Sequence, residues 1–151
     1  MIPIAALRAC PLFKGFTAAG LQILAGIAIE RKFPEGVPLF VENMVGESLI
    51  VLAQGRVKLT AKNKAGEQAT VGEVGPGEYL GEISLIRPGQ RMCTATALSE
   101  VSAVEIRHVD FQKLLASKPQ ACVKLLMGIF SLFGEKLNDN RENLRLLLEK
   151  N

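Results

Sequence analysis

The first apolar residues that repeat with a clear period lie near the start of the chain. Over residues 17–28, Leu21, Leu24 and Ala28 are spaced by three or four, which places them on one face of an α-helix. Thr17 precedes them, and a threonine there can accept a hydrogen bond from the free backbone N–H groups of a first helical turn. We therefore predict an N-terminal helix over 17–28 with Thr17 as its N-cap.

The pattern changes between Ile29 and Arg107. Short apolar runs recur about every eight to twelve residues, and Gly, Pro, Asn and Lys separate them, which is typical of an all-β sandwich or barrel. The predicted strands are 29–33, 37–41, 48–54, 56–62, 68–74, 92–98 and 101–107. Gln54-Gly55 and residues 64–66 predict hairpin turns between neighbouring strands.

A helical period returns after Arg107. Apolar residues from Phe111 onward predict a short helix that ends before Pro119, because the residue preceding a proline disfavours helical geometry. A longer helix is predicted over 120–150, with an interrupting polar turn at 138–143. The sequence therefore predicts one α+β domain, mainly β, over residues 1–151. Its parts are a helical segment (1–28), a β region (29–108) and two C-terminal helices (109–151).

Composition narrows the class of protein. Hydrophobic residues make up 48% of the chain and charged residues 22%, as in ordinary globular domains. No apolar run approaches the twenty or so residues that span a bilayer, and no basic segment precedes an apolar start, so we expect a cytoplasmic protein. The three cysteines are few and widely spaced, and we interpret them as reduced thiols. The net charge of +3 is a weak indication of a polyanionic partner.

The segment Gly81-Glu82-Ile83-Ser84-Leu85-Ile86, followed after a short loop by Arg91, carries the most specific chemistry. A glycine lets the backbone approach a ligand without a Cβ in the way. Glu82 can accept a hydrogen bond from a sugar hydroxyl, and the Arg91 guanidinium can hold phosphate oxygens in a bidentate fork. The helix that begins at Glu82 adds backbone N–H groups that favour an anion.

This segment resembles the phosphate-binding cassette of the cyclic nucleotide-binding domain family, which includes the catabolite activator protein and the regulatory subunits of cyclic-AMP-dependent kinase. Here the pattern reads GEISLI-RPGQ-RMCTAT, and residues 81–94 are called the cassette below. Further family markers fall in order along the chain: Pro11-Leu12-Phe13, Phe33-Pro34-Glu35-Gly36, Leu39-Phe40, Gly46-Glu47, Val57-Lys58-Leu59 and Gly75-Pro76-Gly77-Glu78. The resemblance implies a double-stranded β-roll (jelly roll) with a short cassette helix.

The resemblance also implies a ligand and a set of contacts. The ligand-binding residues that it assigns are Gly81, Glu82, Ile83, Ser84, Arg91, Met92 and Thr94. Met92 departs from the family pattern, and its side chain lacks the hydroxyl associated with cyclic GMP, so we expect cyclic AMP to be preferred over cyclic GMP. The long C-terminal helix of the family carries a lid over the base, and the candidates here are Asn140 and Arg141. That helix is also expected to contact a second copy or another protein.

The resemblance implies a non-enzymatic cyclic-nucleotide sensor, and other functions compete with it. A metal-dependent cupin enzyme needs several histidines around one metal, and His108 is the only histidine, so we expect no metal, no cofactor and no catalytic residues. A DNA-reading module joined to the domain is not expected, because the chain ends at the long helix. A cyclic dinucleotide-binding domain and a degenerate domain without ligand stay open as alternatives.

Overall fold

The computed structural model describes residues 2–149, and its N-terminal part contains two short helices where one was predicted. Helix α1 spans Ile2–Ala9, a 3₁₀ turn spans Pro11–Phe13, and α2 spans Ala18–Ala25. The predicted N-cap is confirmed, since the Thr17 hydroxyl accepts a hydrogen bond of 3.0 Å from the Gly20 N–H. Helix α1 was missed because it is too short to be stable alone and forms by packing on the sheet.

Ten strands form the β region. They are β1 Ala28–Phe33, β2 Pro38–Phe40, β3 Val45–Gly46, β4 Ser48–Gln54, β5 Val57–Lys62, β6 Gln68–Val74, β7 Tyr79–Leu80, β8 Gly89–Gln90, β9 Thr94–Ala97 and β10 Val101–Arg107. Two four-stranded antiparallel sheets have the orders β1-β10-β4-β7 and β2-β9-β5-β6, and β3 pairs with β8 in a separate ribbon. The predicted α+β, mainly β fold with a jelly roll is confirmed.

The strand prediction holds except around the cassette. The predicted strand 92–98 begins two residues later, at Thr94. The reason is that the backbone of Arg91 pairs with the loop before β3, accepting from the Asn43 N–H (2.8 Å) and donating to the Met44 carbonyl (2.7 Å). The chain then bends before it joins β5. The two-residue strands β3, β7 and β8 were missed because so short a run has no period of its own.

Strand β4 supplies apolar side chains to two cores, which explains its uninterrupted apolar sequence. Leu49 and Val51 pack with the helices, whereas Ile50 and Leu52 pack between the two sheets. The helical core also contains residues from α1, the 3₁₀ turn, α4 and α5, and the inter-sheet core contains Val57 and residues of β9 and β10. The roll and the helices therefore share β4 and β10 as a common wall.

The C-terminal part contains three helices, α4 His108–Ser117, α5 Pro119–Asp139 and α6 Arg141–Glu149, and the prediction of one helix over 120–150 is wrong. The break is at Asn140, whose backbone leaves helical geometry (φ −102°, ψ 16°). Its side chain donates a hydrogen bond of 2.8 Å to the Lys136 carbonyl, a local bond by which asparagine competes with the helix. The predicted end at Lys150 lies outside the described residues.

Helix α5 crosses the 3₁₀ turn at Gly128. A Cβ built on that glycine would lie 2.5 Å from the Leu12 carbonyl oxygen, so the two backbones are closer there than any other residue would allow. Among residues 2–149 there is no helix whose length and apolar content would let it span a bilayer.

Candidate functional site

The cassette begins where β7 leaves the first sheet. Leu80 pairs with Ile50 of β4, and Gly81 then adopts a left-handed conformation (φ 76°) that turns the chain into α3, Glu82–Ile86. A residue with a Cβ would be strained there. Leu85 is fully buried in the helical core and anchors this short helix. The turn and the anchor together fix the direction in which the cassette helix leaves the sheet.

Arg91 lies beside this helix and is almost completely buried, with 7% of its surface exposed. Its guanidinium donates to the Ser84 hydroxyl (3.3 Å), the Ser48 carbonyl (3.2 Å) and the Ser48 hydroxyl (3.3 Å). The guanidinium carbon also lies 4.3 Å from the centroid of the Phe40 ring, a cation–π contact. Residues from β2, β4 and α3 therefore hold one side chain in place.

Two glycines make room for this guanidinium. A Cβ on Gly81 or on Gly46 would overlap atoms of the Arg91 side chain. From the sequence alone, the free space at Gly81 was assigned to an approaching ligand, whereas in the structure the arginine fills it. Gly46 was noted as a family marker, but nothing in its local sequence indicates that it faces an arginine located 45 positions later.

Arg91 has a charge that its surroundings do not neutralise. None of the ion pairs among residues 2–149 includes it, and its hydrogen-bond acceptors are neutral oxygens. Burial lowers its pKa, and the more distant Glu105 only partly opposes this effect. A guanidinium remains protonated in proteins, so the site contains a desolvated cation. A buried cation without a counter-charge is costly, and an anionic ligand would supply the missing charge.

Glu82, the other charged residue of the cassette, does have an ionic partner. Its carboxylate, whose side chain is 18% exposed, lies 3.5 Å from the ammonium of Lys136 on α5. The same ammonium lies 4.9 Å from the centroid of the Tyr79 ring. Burial lowers the pKa of Lys136, but Glu82 and Tyr79 outweigh it, and the net pKa is raised above the usual lysine value. Lys136 is therefore charged, and no feature of the sequence assigned it to the site.

The remaining predicted contacts differ in their placement. The Ser84 N–H is bonded to the Gly81 carbonyl (3.0 Å), while its hydroxyl faces Arg91. Ile83 is exposed on the outer side of α3. Met92 lies in the bend before β9 and is 90% exposed, so the structure does not bring its side chain to Arg91. The Thr94 hydroxyl accepts a hydrogen bond of 2.9 Å from the Glu42 N–H.

The two lid candidates, Asn140 and Arg141, form the junction between α5 and α6. The Asn140 side chain bonds to its own helix, and Arg141 is exposed at the first position of α6. Lys136, one helical turn earlier, makes the contact with the cassette instead. The structure thus brings Gly81, Ser84 and Arg91 together, with Glu82 next to them and turned toward α5.

A cavity of about 410 Å³ is lined by Arg91 and by residues of both sheets. Its lining includes Phe33, Phe40 and His108 but neither Glu82 nor Ser84. Among the cations of that lining, Arg31 forms an ion pair with Glu105 at 2.6 Å. Arg91 is the one that is buried and has no ion pair. The cavity therefore shares one residue with the cassette and is distinct from it. In residues 2–149 no group of three or more His, Cys, Asp or Glu side chains is arranged to hold a metal ion.

Comparisons with known proteins identify the family of the domain. A family model described as the cyclic nucleotide-binding domain matches residues 30–118. The cyclic AMP receptor protein of Thermus thermophilus is 28% identical over 113 residues, which are 75% of this chain and 52% of that protein. The N-terminal domain of a transcriptional regulator from Streptomyces coelicolor superposes with a TM-score of 0.80 at 34% identity, over 90% of this chain and 94% of that one.

The regulatory domain of Toxoplasma gondii PKA, whose structure contains cAMP, superposes with a TM-score of 0.67 at 26% identity. That superposition covers 75% of this chain and 43% of the other. The chain spans about half the length of the first curated relatives that it matches, 52% and 59% of them.

Proposed function

The chain belongs to the cyclic nucleotide-binding domain family, and we propose that it is a non-enzymatic sensor of a cyclic purine nucleotide. In this proposal Arg91 neutralises the cyclic phosphate and Glu82 accepts a hydrogen bond from the ribose 2′-hydroxyl. Gly81 and Ser84 shape the wall against which the phosphate rests. The proposal includes no cofactor, and it treats residues 1–151 as one cytoplasmic domain.

The observation that carries the proposal is the buried, unneutralised charge of Arg91. Three hydrogen bonds, to the hydroxyls of Ser48 and Ser84 and to the backbone carbonyl of Ser48, hold the guanidinium, and the adjacent glycines leave the space that it fills. Such a cation is oriented before the ligand arrives, so little conformational entropy is lost when a phosphate binds. A phosphate is also the anion whose oxygens fit a guanidinium fork in a bidentate way.

Cyclic AMP is the nucleotide that we propose, in preference to cyclic GMP. The support comes from the relatives: one is named a cyclic AMP receptor protein, and the structure of another contains cAMP. Met92 offers no hydroxyl for guanine, but its exposure means that this residue adds little to the argument.

The output of the sensor is proposed to pass through the C-terminal helices to a second copy of the chain or to another protein. The outer face of α5 beyond the core is apolar and exposed, with Met127, Phe130 and Phe133 uncovered, and α6 exposes Leu146 and Leu148. Burial of such side chains favours association. Light scattering on the protein with and without cyclic AMP measures this step, and a strict monomer in both conditions would contradict the association.

The test of the proposal is calorimetric titration of the protein and two arginine variants with cyclic AMP, cyclic GMP and cyclic di-GMP. Arg91→Ala should weaken cyclic AMP binding by about 2–4 kcal/mol, because a charge-assisted contact in a desolvated site is lost. Arg87→Ala is the matched control, since Arg87 lies on the same cassette but is exposed. No binding by the unmodified protein, or equal affinity in Arg91→Ala, would overturn the proposal. Binding of cyclic di-GMP alone would favour a cyclic dinucleotide-binding domain.

A further inference from the structure

We infer that Lys136 is a positioning residue of the ligand site, which holds the Glu82 carboxylate in the orientation in which it accepts a hydrogen bond from the sugar of the nucleotide. The inference rests on the proposed function and adds to it the residue that sets the preference for a ligand carrying a free hydroxyl. Lys136 lies 54 positions after Glu82 and reaches it from α5, with an ammonium-to-carboxylate distance of 3.5 Å.

The packing of α5 explains why Lys136 faces the cassette. Ile129 is the last side chain of α5 that is fully buried in the helical core, and Leu132 is partly buried against that core. Lys136 follows these residues by seven and four positions, so it lies on the same face of the helix. The core-facing side of α5 therefore continues beyond the apolar core to Lys136, whose side chain is 57% exposed and whose ammonium contacts the cassette.

A second contact holds the lysine in this position. The ammonium lies over the Tyr79 ring at 4.9 Å, and Tyr79 is in β7, two residues before the turn at Gly81. Tyr79, Lys136 and Glu82 thus form a chain of contacts from the first sheet, through α5, to the first residue of α3. A lysine side chain has several rotatable bonds, and contacts with both the Tyr79 ring and Glu82 restrict them more than one contact does.

The effect on Glu82 follows from its flexibility. A glutamate at the first position of a short helix has three rotatable side-chain bonds, and Lys136 is its only ionic partner among residues 2–149. The salt bridge to one carboxylate oxygen leaves the other oxygen with lone pairs for a hydroxyl donor. Lys136 therefore reduces the freedom that Glu82 must lose when it accepts a hydrogen bond from the ribose.

The experiment compares cyclic AMP with 2′-deoxy cyclic AMP in the full chain, at about 0.15 M ionic strength, so that long-range charge effects are screened. Lys136→Met keeps most of the length of the side chain and removes the charge. We expect its affinity for cyclic AMP to fall about fivefold and its affinity for the deoxy analogue to fall less than about twofold, because only the first ligand uses the Glu82 carboxylate. Lys136→Arg should restore most of the discrimination.

Lys124→Met is the matched control, because Lys124 is also on α5 and its ammonium contacts the Gly15 carbonyl and the Phe16 ring instead of the cassette. It should leave both affinities unchanged. An unchanged ratio of the two affinities in Lys136→Met would overturn the inference while the proposed function stands. Tighter binding of cyclic AMP would overturn it too, since Lys136 would then compete with the sugar. If the unmodified protein binds neither nucleotide, the proposed function fails, and this inference fails with it.

An experiment without ligand tests whether Lys136 connects α5 to the cassette. Amide hydrogen exchange in residues 133–139 should be faster in Lys136→Met than in the unmodified protein, because the contact with the cassette holds this part of α5. Lys124→Met should leave the exchange of these residues unchanged. Equal exchange in Lys136→Met and the unmodified protein would show that Lys136 does not connect α5 to the cassette and would overturn the inference.

Discussion

Arg91 and Glu82 belong to the same cassette but are held in opposite ways. Arg91 is buried, its partners are uncharged oxygens and an aromatic ring, and its side chain fills the space beside two glycines. Glu82 is at the boundary with solvent, and its partner is a cation supplied by a distant helix. The β-roll therefore positions the anion-binding charge by itself. The orientation of the carboxylate depends on the position of α5.

The largest effect should come from closing the space around Arg91. In Gly81→Ala the new Cβ would overlap the guanidinium and lie 2.8 Å from the Ser48 carbonyl oxygen, on a residue with φ of 76°. We expect the free energy of unfolding to fall by about 1–3 kcal/mol and cyclic AMP affinity to fall at least as far as in Arg91→Ala. Thermal unfolding and calorimetry measure the two changes.

The control for this variant is Gly89→Ala. Gly89 lies in β8 of the same cassette, and a Cβ there would meet open space. Its stability and affinity should therefore stay close to those of the parent. Full affinity in Gly81→Ala would show that the position of Arg91 does not depend on the glycine.

A smaller effect is expected at the carboxylate. Glu82→Gln keeps the shape of the side chain but weakens the acceptor and removes the attraction to Lys136, so cyclic AMP affinity should fall by about 1–2 kcal/mol. 2′-Deoxy cyclic AMP should bind the variant and the parent almost equally. Glu35→Gln, in an exposed turn, is the control. If the parent binds the deoxy analogue as tightly as cyclic AMP, Glu82 is not the ribose ligand.

The smallest effect should be at Met92. If Met92 set the preference for cyclic AMP, Met92→Thr would narrow or reverse a difference of about 1 kcal/mol. Because the side chain is 90% exposed in the structure, we expect the change in preference to be below about 0.5 kcal/mol. Titration of parent and variant with both nucleotides decides between the two values. A larger change would mean that the bend at 92–93 moves toward the base when the ligand binds.

Much of the fold could be predicted because its signals are local. Strands β4, β6 and β10 have the predicted bounds. Thr17 caps α2, as the presence of a threonine before the helix predicted. The charged pair of the cassette is likewise encoded in a short run of sequence. What could not be predicted depends on contacts between distant segments, such as the fit of Arg91 against Gly46 and the pairing of Lys136 with Glu82.

The helix break illustrates the same limit. The polar run 138–143 was visible in the sequence. Whether it would bend the helix, break it or form the solvent-exposed side of one long helix depends on the side-chain bond from Asn140 to the Lys136 carbonyl. The sequence therefore indicated the place of the break, and the hydrogen bond of one asparagine side chain determined its form.

The close crossing of α5 and the 3₁₀ turn at Gly128 gives the helix a fulcrum. With no side chain between Gly128 and the Leu12 carbonyl, the two backbones are in direct contact, and a tilt of α5 would pivot at this point. From Gly128 to the end of α5 at Asp139 the arm is about 17 Å long, so a tilt of about 10° would displace the tip by about 3 Å. A small tilt about Gly128 would thus cause a larger displacement at α6. Lys136 lies near the end of α5 and would undergo most of that displacement.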